Sequence, residues 1–129
     1  MHKDDGSGYC KKAKKAISKA HPDFAKTFKE VERLLNIHFC PKRAETPLHE
    51  GSKFFMVLHT EEYEIWRISV VVQGLKPGAW PRYWLGVIFD REIIVPLEMG
   101  RHKDYGEGEN QIENSAKKKM AEYMKDHAV

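Results

Sequence analysis

The sequence predicts an α+β fold, a small antiparallel β-meander with two N-terminal helices and one C-terminal helix. Apolar residues recur at helical spacing near both ends of the chain, and β-branched and aromatic residues cluster in short runs between them, within 54–99. The length of 129 residues fits one domain. We place that domain at 10–129, after a flexible leader at 1–9 that shows no periodicity.

Two helices are expected before the strands. Residues 10–20, CKKAKKAISKA, are good helix formers, with lysines spread around a narrow apolar line. His21-Pro22 interrupts this helix, because a residue before proline disfavours the helical conformation, whereas proline itself suits the first turn of the next helix. That second helix has an apolar stripe at steps of four, three and four residues, formed by Phe24, Phe28, Val31 and Leu35.

Four strands are expected after a loop at 36–53 that contains two prolines and a glycine. In order, they are expected at 54–58, 63–73, 82–89 and 93–99. A turn-forming loop at 74–81 and a short turn at 90–92 join the last three into an antiparallel meander. Pro96 cannot donate a hydrogen bond to a neighbouring strand, so its strand either lies partly at an edge or contains a bulge there.

A final amphipathic helix is expected at 111–127, following a polar loop at 100–110. We expect all the helices to pack on one face of the sheet. Side chains alternate along a strand, so Arg67 projects from the opposite, open face. The core side of that strand is then formed by Trp66, Ile68, Val70 and Val72.

Composition and charge exclude several classes of protein. Hydrophobic residues make up 41% of the chain and charged residues 32%, as in globular rather than disordered or membrane-spanning chains. No apolar run approaches the roughly 20 residues that a membrane span needs. Cys10 and Cys40 can form at most one disulfide, so we expect free thiols in a reducing compartment. The net charge is only +3, but residues 1–43 carry 11 basic and 5 acidic side chains, so positive charge is segregated.

Basic residues on or after the strands are the candidates for function. They are Arg67, Arg82, Arg101, His102 and Lys103. In a meander these groups border one concave surface, where guanidinium groups can bind RNA phosphate through two parallel hydrogen bonds. Metal-independent RNA cleavage also needs groups that take and give protons. The possible proton-transfer groups are His102, Tyr105 and Tyr123.

Simpler interpretations stand beside this one. An arginine on a strand surface is often only solvated, and the lysine run at 117–119 is typical of the solvated face of a helix. His38 and Cys40 lack a second ligand pair at metal-site spacing, and no cofactor motif is present, so we predict no metal and no cofactor. Among the tryptophans, only Trp80 in its loop is a candidate for stacking on bases.

Three segments of the chain resemble the RelE/ParE toxin superfamily. They are EIWRISVVV at 64–72, WLGVIFDREIIVPLEMGRHKDYG at 84–106 and IENSAKKKMAEYMK at 112–125, and the resemblance covers roughly residues 23–125. The chain departs from the family pattern in lacking a strand before the helices and in its longer loop at 36–53. It also places its C-terminal tyrosine within a long helix.

The resemblance carries roles over to particular residues. Arg67 matches the arginine of the family's second strand, 101–103 matches the basic cluster that ends its fourth strand, and Tyr105 matches the aromatic residue that follows. By this resemblance, Arg67 and Arg101 would stabilise phosphate charge and act as catalytic residues. Substrate binding is assigned to Lys103, Arg82 and Tyr105. Proton transfer is assigned to His102 or Tyr123, with His127 as a further C-terminal candidate.

The resemblance also implies a function. The chain would be the toxin component of a type II toxin–antitoxin system and a ribosome-dependent mRNA endoribonuclease. Its partners would be a cognate antitoxin protein, mRNA and the ribosome, with a cytoplasmic location and no membrane partner. The alternative is a non-catalytic binding module of the same fold, either an inhibitor of DNA gyrase or a protein- or nucleic-acid-interaction domain.

Overall fold

Three helices and five strands make up the part of the chain that the computed structural model describes, residues 2–3, 9–38, 53–101 and 108–127. The helices are α1 (Lys11–Ala20), α2 (Phe24–His38) and α3 (Glu109–Asp126). The strands are β1 (His2–Lys3), β2 (Lys53–His59), β3 (Glu64–Ser69), β4 (Arg82–Ile88) and β5 (Ile93–Gly100). The predicted α+β fold is confirmed. None of the described helices has the length and apolar character needed to cross a membrane.

The strands form one sheet in the order β1-β5-β4-β3-β2. Neighbours from β2 to β5 are antiparallel, which confirms the meander, whereas β1 lies parallel to β5. The expectation that no strand precedes the helices is wrong, because His2 and Lys3 pair with Ile93 and Ile94. Two residues are too few to show the alternation by which a strand is recognised in a sequence.

Helices α1 and α2 pack together on one face of the sheet. Helix α1 ends at Ala20, before His21, whose backbone is extended, and α2 begins at Phe24. The predicted stripe of α2 is buried along its length and includes Phe28, whose ring meets that of Tyr83 on β4 edge-on at 5.1 Å between centroids. Ile68 and Val70 lie in the same core, as the alternation predicts.

Helix α3 lies on the opposite face of the sheet. Its Met120 and Ala116 are fully buried in a second core with Trp84 of β4. The expectation that all helices share one face is therefore wrong, and the domain has three layers. The physical reason lies in β4, where every residue from Tyr83 to Ile88 is buried, so the strand needs apolar cover on both faces.

Gly86 allows α3 to come close to the sheet. A Cβ atom at this position would overlap the thioether of Met120. Glycine interrupts strands where another element approaches the backbone closely, and Gly86 is such a case.

Two details of the strands differ from expectation. Strand β3 ends at Ser69 rather than at 73, although Val70 donates a backbone hydrogen bond to Pro81 (2.8 Å) and stays buried. The choice left open at Pro96 is resolved as a bulge. Trp84 pairs with Glu98 but the next residue of β4 pairs with Pro96, so β5 holds one extra residue at this point.

Candidate functional site

Two arginines lie on the α3 face at one end of the sheet, and we call them the arginine pair. Arg67 of β3 is directly opposite Trp84 in the register. Arg82 of β4 pairs with Ser69, which lies two residues after Arg67 on β3. Because residues two apart on a strand point to the same side, Arg82 lies on the same face of the sheet as Arg67. Their side chains are 25% and 20% exposed, so both guanidinium groups are held at a partly covered rim.

The first two turns of α3 supply the acidic partners of the arginine pair. Nη1 of Arg67 donates to Oε1 of Glu109 (3.0 Å) and to Oε1 of Glu113 (2.9 Å). Nε of Arg82 lies 4.0 Å from the same oxygen of Glu109. Because residues four apart share one face of a helix, both carboxylates reach the sheet together. We call Glu109 and Glu113 the α3 carboxylates.

Neutral neighbours fix the positions of the two guanidinium groups. The guanidinium of Arg67 lies over the ring of Phe55 on β2, with 4.8 Å from Cζ to the ring centroid. Nη1 of Arg82 donates to the backbone oxygen of Trp80 (2.9 Å). These contacts leave further N–H donors on each guanidinium, which has five in all. Planar groups held in this way are suited to binding an oxyanion through two hydrogen bonds.

The electrostatics of the site differ from the sequence-based expectation of an open basic surface. Two guanidinium charges face two carboxylate charges, so the arginine pair is locally neutralised by the chain itself. The side chain of Glu109 is 42% exposed. An ion pair open to water contributes about 0–1 kcal/mol to stability. A phosphate group can therefore replace the Glu109 carboxylate at small cost, whereas the Glu113 side chain is only 19% exposed.

The remaining basic candidates lie at or beyond the end of β5. Gly100 pairs with Arg82, so the backbone of Arg101 lies at the same end of the sheet as the arginine pair. The side chain of Arg101 is partly buried. His102, Lys103 and Tyr105 lie outside the described residues, and their predicted roles stay predictions.

Tyr123 does not lie beside the arginine pair. It is 3% exposed in the core beneath α3, and its ring stacks on His127 with 4.0 Å between centroids. Ten residues of helix separate it from Glu113, which is about 15 Å along the axis. Tyr123 therefore lies apart from Arg67, and its predicted role in proton transfer stays a prediction. The apolar spacing of the final helix, which included Tyr123, already indicated a core position.

Trp80 is also held within the fold. Its ring nitrogen donates to the backbone oxygen of Leu75 (3.2 Å), and its ring packs against the core under α1 and α2. It is therefore not a free platform for a base. Within the described part of the chain, no group of three His, Cys, Asp or Glu side chains is arranged to hold a metal ion.

The α3 carboxylates are residues of the candidate site that the sequence analysis missed. A signal for them exists, because Glu109 and Glu113 stand four residues apart at the start of an amphipathic helix. That spacing does not indicate which strand the two carboxylates contact. Comparison of the chain with protein-family models, with curated proteins and with solved structures found no match.

Proposed function

We propose that this chain is the toxin component of a type II toxin–antitoxin system and an endoribonuclease that cleaves mRNA on the ribosome, in the cytoplasm. The observation that carries the proposal is the arginine pair, two guanidinium groups on adjacent strands, held by Phe55 and the Trp80 carbonyl and aimed at one rim. The fold class and the resemblance of the strand segments to the RelE/ParE superfamily support the same conclusion.

The chemistry of the proposal assigns charge stabilisation to arginine. In metal-independent cleavage the 2′-oxygen of a ribose attacks the adjacent phosphorus, the bond from phosphorus to the 5′-oxygen breaks, and negative charge builds on the phosphoryl oxygens. Arg67, aided by Arg82 and Arg101, would stabilise that charge. The proton taken from the 2′-hydroxyl group and the proton given to the leaving oxygen remain assigned to His102, while Lys103 and Tyr105 hold the RNA backbone.

The α3 carboxylates would act as competitors of the RNA. A phosphate can use Nη1 of Arg67 only after Glu109 and Glu113 give up their hydrogen bonds to that nitrogen. The proposed antitoxin would use the same chemistry. An acidic segment laid over the arginine pair would neutralise it more completely and block the RNA.

Conditional expression in bacteria tests the proposed function. Wild-type chain is expected to arrest growth and to produce new 5′ ends within messages, mapped by sequencing of transcript ends. Arg67→Gln removes the charge that stabilises the phosphate, so cleavage and growth arrest should both be lost. Arg33→Gln is the matched control, because Arg33 is an exposed arginine on α2 that pairs only locally with Glu30, and this variant should cleave like wild type.

Growth without new transcript ends on wild-type expression would refute the proposed nuclease. Equal loss of cleavage in Arg33→Gln and Arg67→Gln would also count against it, because the effect would then follow overall charge. Circular dichroism of the purified variants distinguishes loss of function from loss of fold.

A second candidate is the non-catalytic binding module. It is favoured by the distance between Tyr123 and the arginine pair and by the two carboxylates that already occupy Arg67. In the gyrase-inhibitor form of this hypothesis, expression would arrest growth with intact messages and induce DNA-damage signalling. Arrest that persists in Arg67→Gln would favour this candidate over the nuclease.

A further inference from the structure

Helix α1 presents a row of lysines away from the core. Lys11, Lys12, Lys15 and Lys19 are all exposed, whereas Ile17 on the same helix is 1% exposed. At 3.6 residues per turn, the four lysines fall within an arc of about 100° opposite Ile17. Helix α1 contains no acidic residue, so nothing on this helix offsets their charge.

Helix α2 carries further exposed lysines. Lys26 and Lys29 are exposed on it, and Arg33, also exposed on this helix, pairs with Glu30. The ammonium of Lys14 lies over the ring of Phe28 at 4.9 Å, which ties α1 to α2. Over residues 11–38 there are 8 basic and 3 acidic side chains. We call the exposed set the lysine face, and its members are Lys11, Lys12, Lys15, Lys19, Lys26 and Lys29.

The lysine face is separate from the arginine pair. Helices α1 and α2 pack on one face of the sheet, and the arginine pair lies on the other face beneath α3. A ligand of the lysine face therefore does not compete with the α3 carboxylates.

The chemistry of the lysine face points to a regular polyanion. Lys11, Lys15 and Lys19 recur every four residues, which is about 6 Å along the helix axis. Lysine is a flexible point charge that attracts phosphate without reading sequence. The large apolar side chains that the described structure exposes are Phe55, Met56 and Phe89, none of which is on α1 or α2.

A membrane surface fits this face less well. A helix that lies in a membrane inserts its apolar side, and the apolar side of α1, with Ile17, is already buried against the sheet. Without aromatic or aliphatic anchors among the described side chains of the outer side, long-range charge attraction is the main available force. We propose that the lysine face binds the phosphodiester backbone of a nucleic-acid duplex, without regard to sequence and independently of the arginine pair.

Salt-dependent binding of the purified chain to labelled RNA and DNA duplexes of about 20 base pairs tests this proposal. The test variant is Lys11→Gln/Lys15→Gln/Lys19→Gln, in which glutamine keeps nearly the same helix propensity as lysine. The matched control is Lys76→Gln/Lys118→Gln/Lys125→Gln, which changes the same number of exposed lysines elsewhere on the surface. Fluorescence anisotropy measured at several salt concentrations gives both the affinity and its salt slope.

We expect the test variant to bind at least about tenfold more weakly than wild type at about 100 mM salt, with the slope of log affinity against log salt reduced by about 2–3. The control variant should keep the wild-type slope. The test variant can lose affinity for the RNA duplex alone or for both duplexes. Either result supports the proposal and identifies which backbone the lysine face binds.

Three results would overturn it. Equal loss of duplex affinity in both triple variants would mean that binding depends only on net charge. Wild-type affinity in the test variant would mean that the lysine face makes no contact. Binding of poly-glutamate or of phosphatidylserine vesicles through these lysines, with no binding of either duplex, would assign the face to another partner. None of these results bears on the proposed nuclease, because Arg67 is unchanged throughout.

Discussion

Replacing both α3 carboxylates, as Glu109→Gln/Glu113→Gln, is expected to strengthen the binding of single-stranded RNA about tenfold at about 100 mM salt. Glutamine keeps the size of the side chain but removes the charge that competes with phosphate at Arg67. The freed guanidinium should add about one phosphate contact, so the salt slope on single-stranded RNA should steepen by about 0.7. Anisotropy titrations with a labelled oligonucleotide measure both quantities.

The matched control for this prediction is Glu61→Gln/Glu62→Gln. These two exposed glutamates lie between β2 and β3, at the opposite end of the sheet from the arginine pair, and their replacement changes the net charge by the same amount. The control variant should bind RNA slightly more tightly than wild type because of long-range charge, but the increase in affinity should be well below tenfold. An equal gain in the two double variants would contradict local competition at Arg67.

Trp84→Ala is expected to have the largest effect on stability, a loss of about 3–5 kcal/mol in the free energy of unfolding. Trp84 is 0% exposed in the core between the sheet and α3, so its removal leaves a large cavity. Its neighbour Tyr83 is 1% exposed in the core on the other face. Tyr83→Ala should therefore be destabilising to a similar degree, and urea denaturation measures both.

Phe55→Ala provides the comparison for the two core variants. Phe55 is 55% exposed, so its truncation should cost less than about 1 kcal/mol through lost burial. If Trp84→Ala cost no more than Phe55→Ala, α3 would not cover this face of the sheet. That result would restore the sequence-based expectation of helices on one face alone.

Much of the fold could be predicted because most helices and strands are long enough for their apolar periodicity to be recognised. The stripe of α2, with Phe24 and Phe28, occupies the core where its spacing placed it. The face of the sheet on which α3 packs could not be predicted from its sequence. An amphipathic pattern shows that a helix has an apolar side, but it does not show which surface covers that side. The continuous apolar run of β4 was the available clue, because strands covered on both faces lose their alternation.

The candidate site was predicted less completely than the fold. Alternation correctly turned Arg67 away from the core under α1 and α2. Its partners Glu109 and Glu113 are 42 and 46 residues away along the chain, so no local pattern connects them to Arg67. Tyr123 received the family's role as a tyrosine near the end of the chain, although its helical spacing indicated the buried position that it occupies.

In the proposed RNA complex, a phosphate replaces Glu109 and Glu113 as the hydrogen-bonding partner of Arg67. The most direct measurement compares RNA affinity in Glu109→Gln/Glu113→Gln with that in the triple variant Arg67→Gln/Glu109→Gln/Glu113→Gln. The triple variant leaves no unpaired charge among these three residues, which protects the fold. We predict that it loses most of the tenfold gain of the double variant and falls close to wild-type affinity. RNA binding in the triple variant as tight as in the double variant would contradict the account.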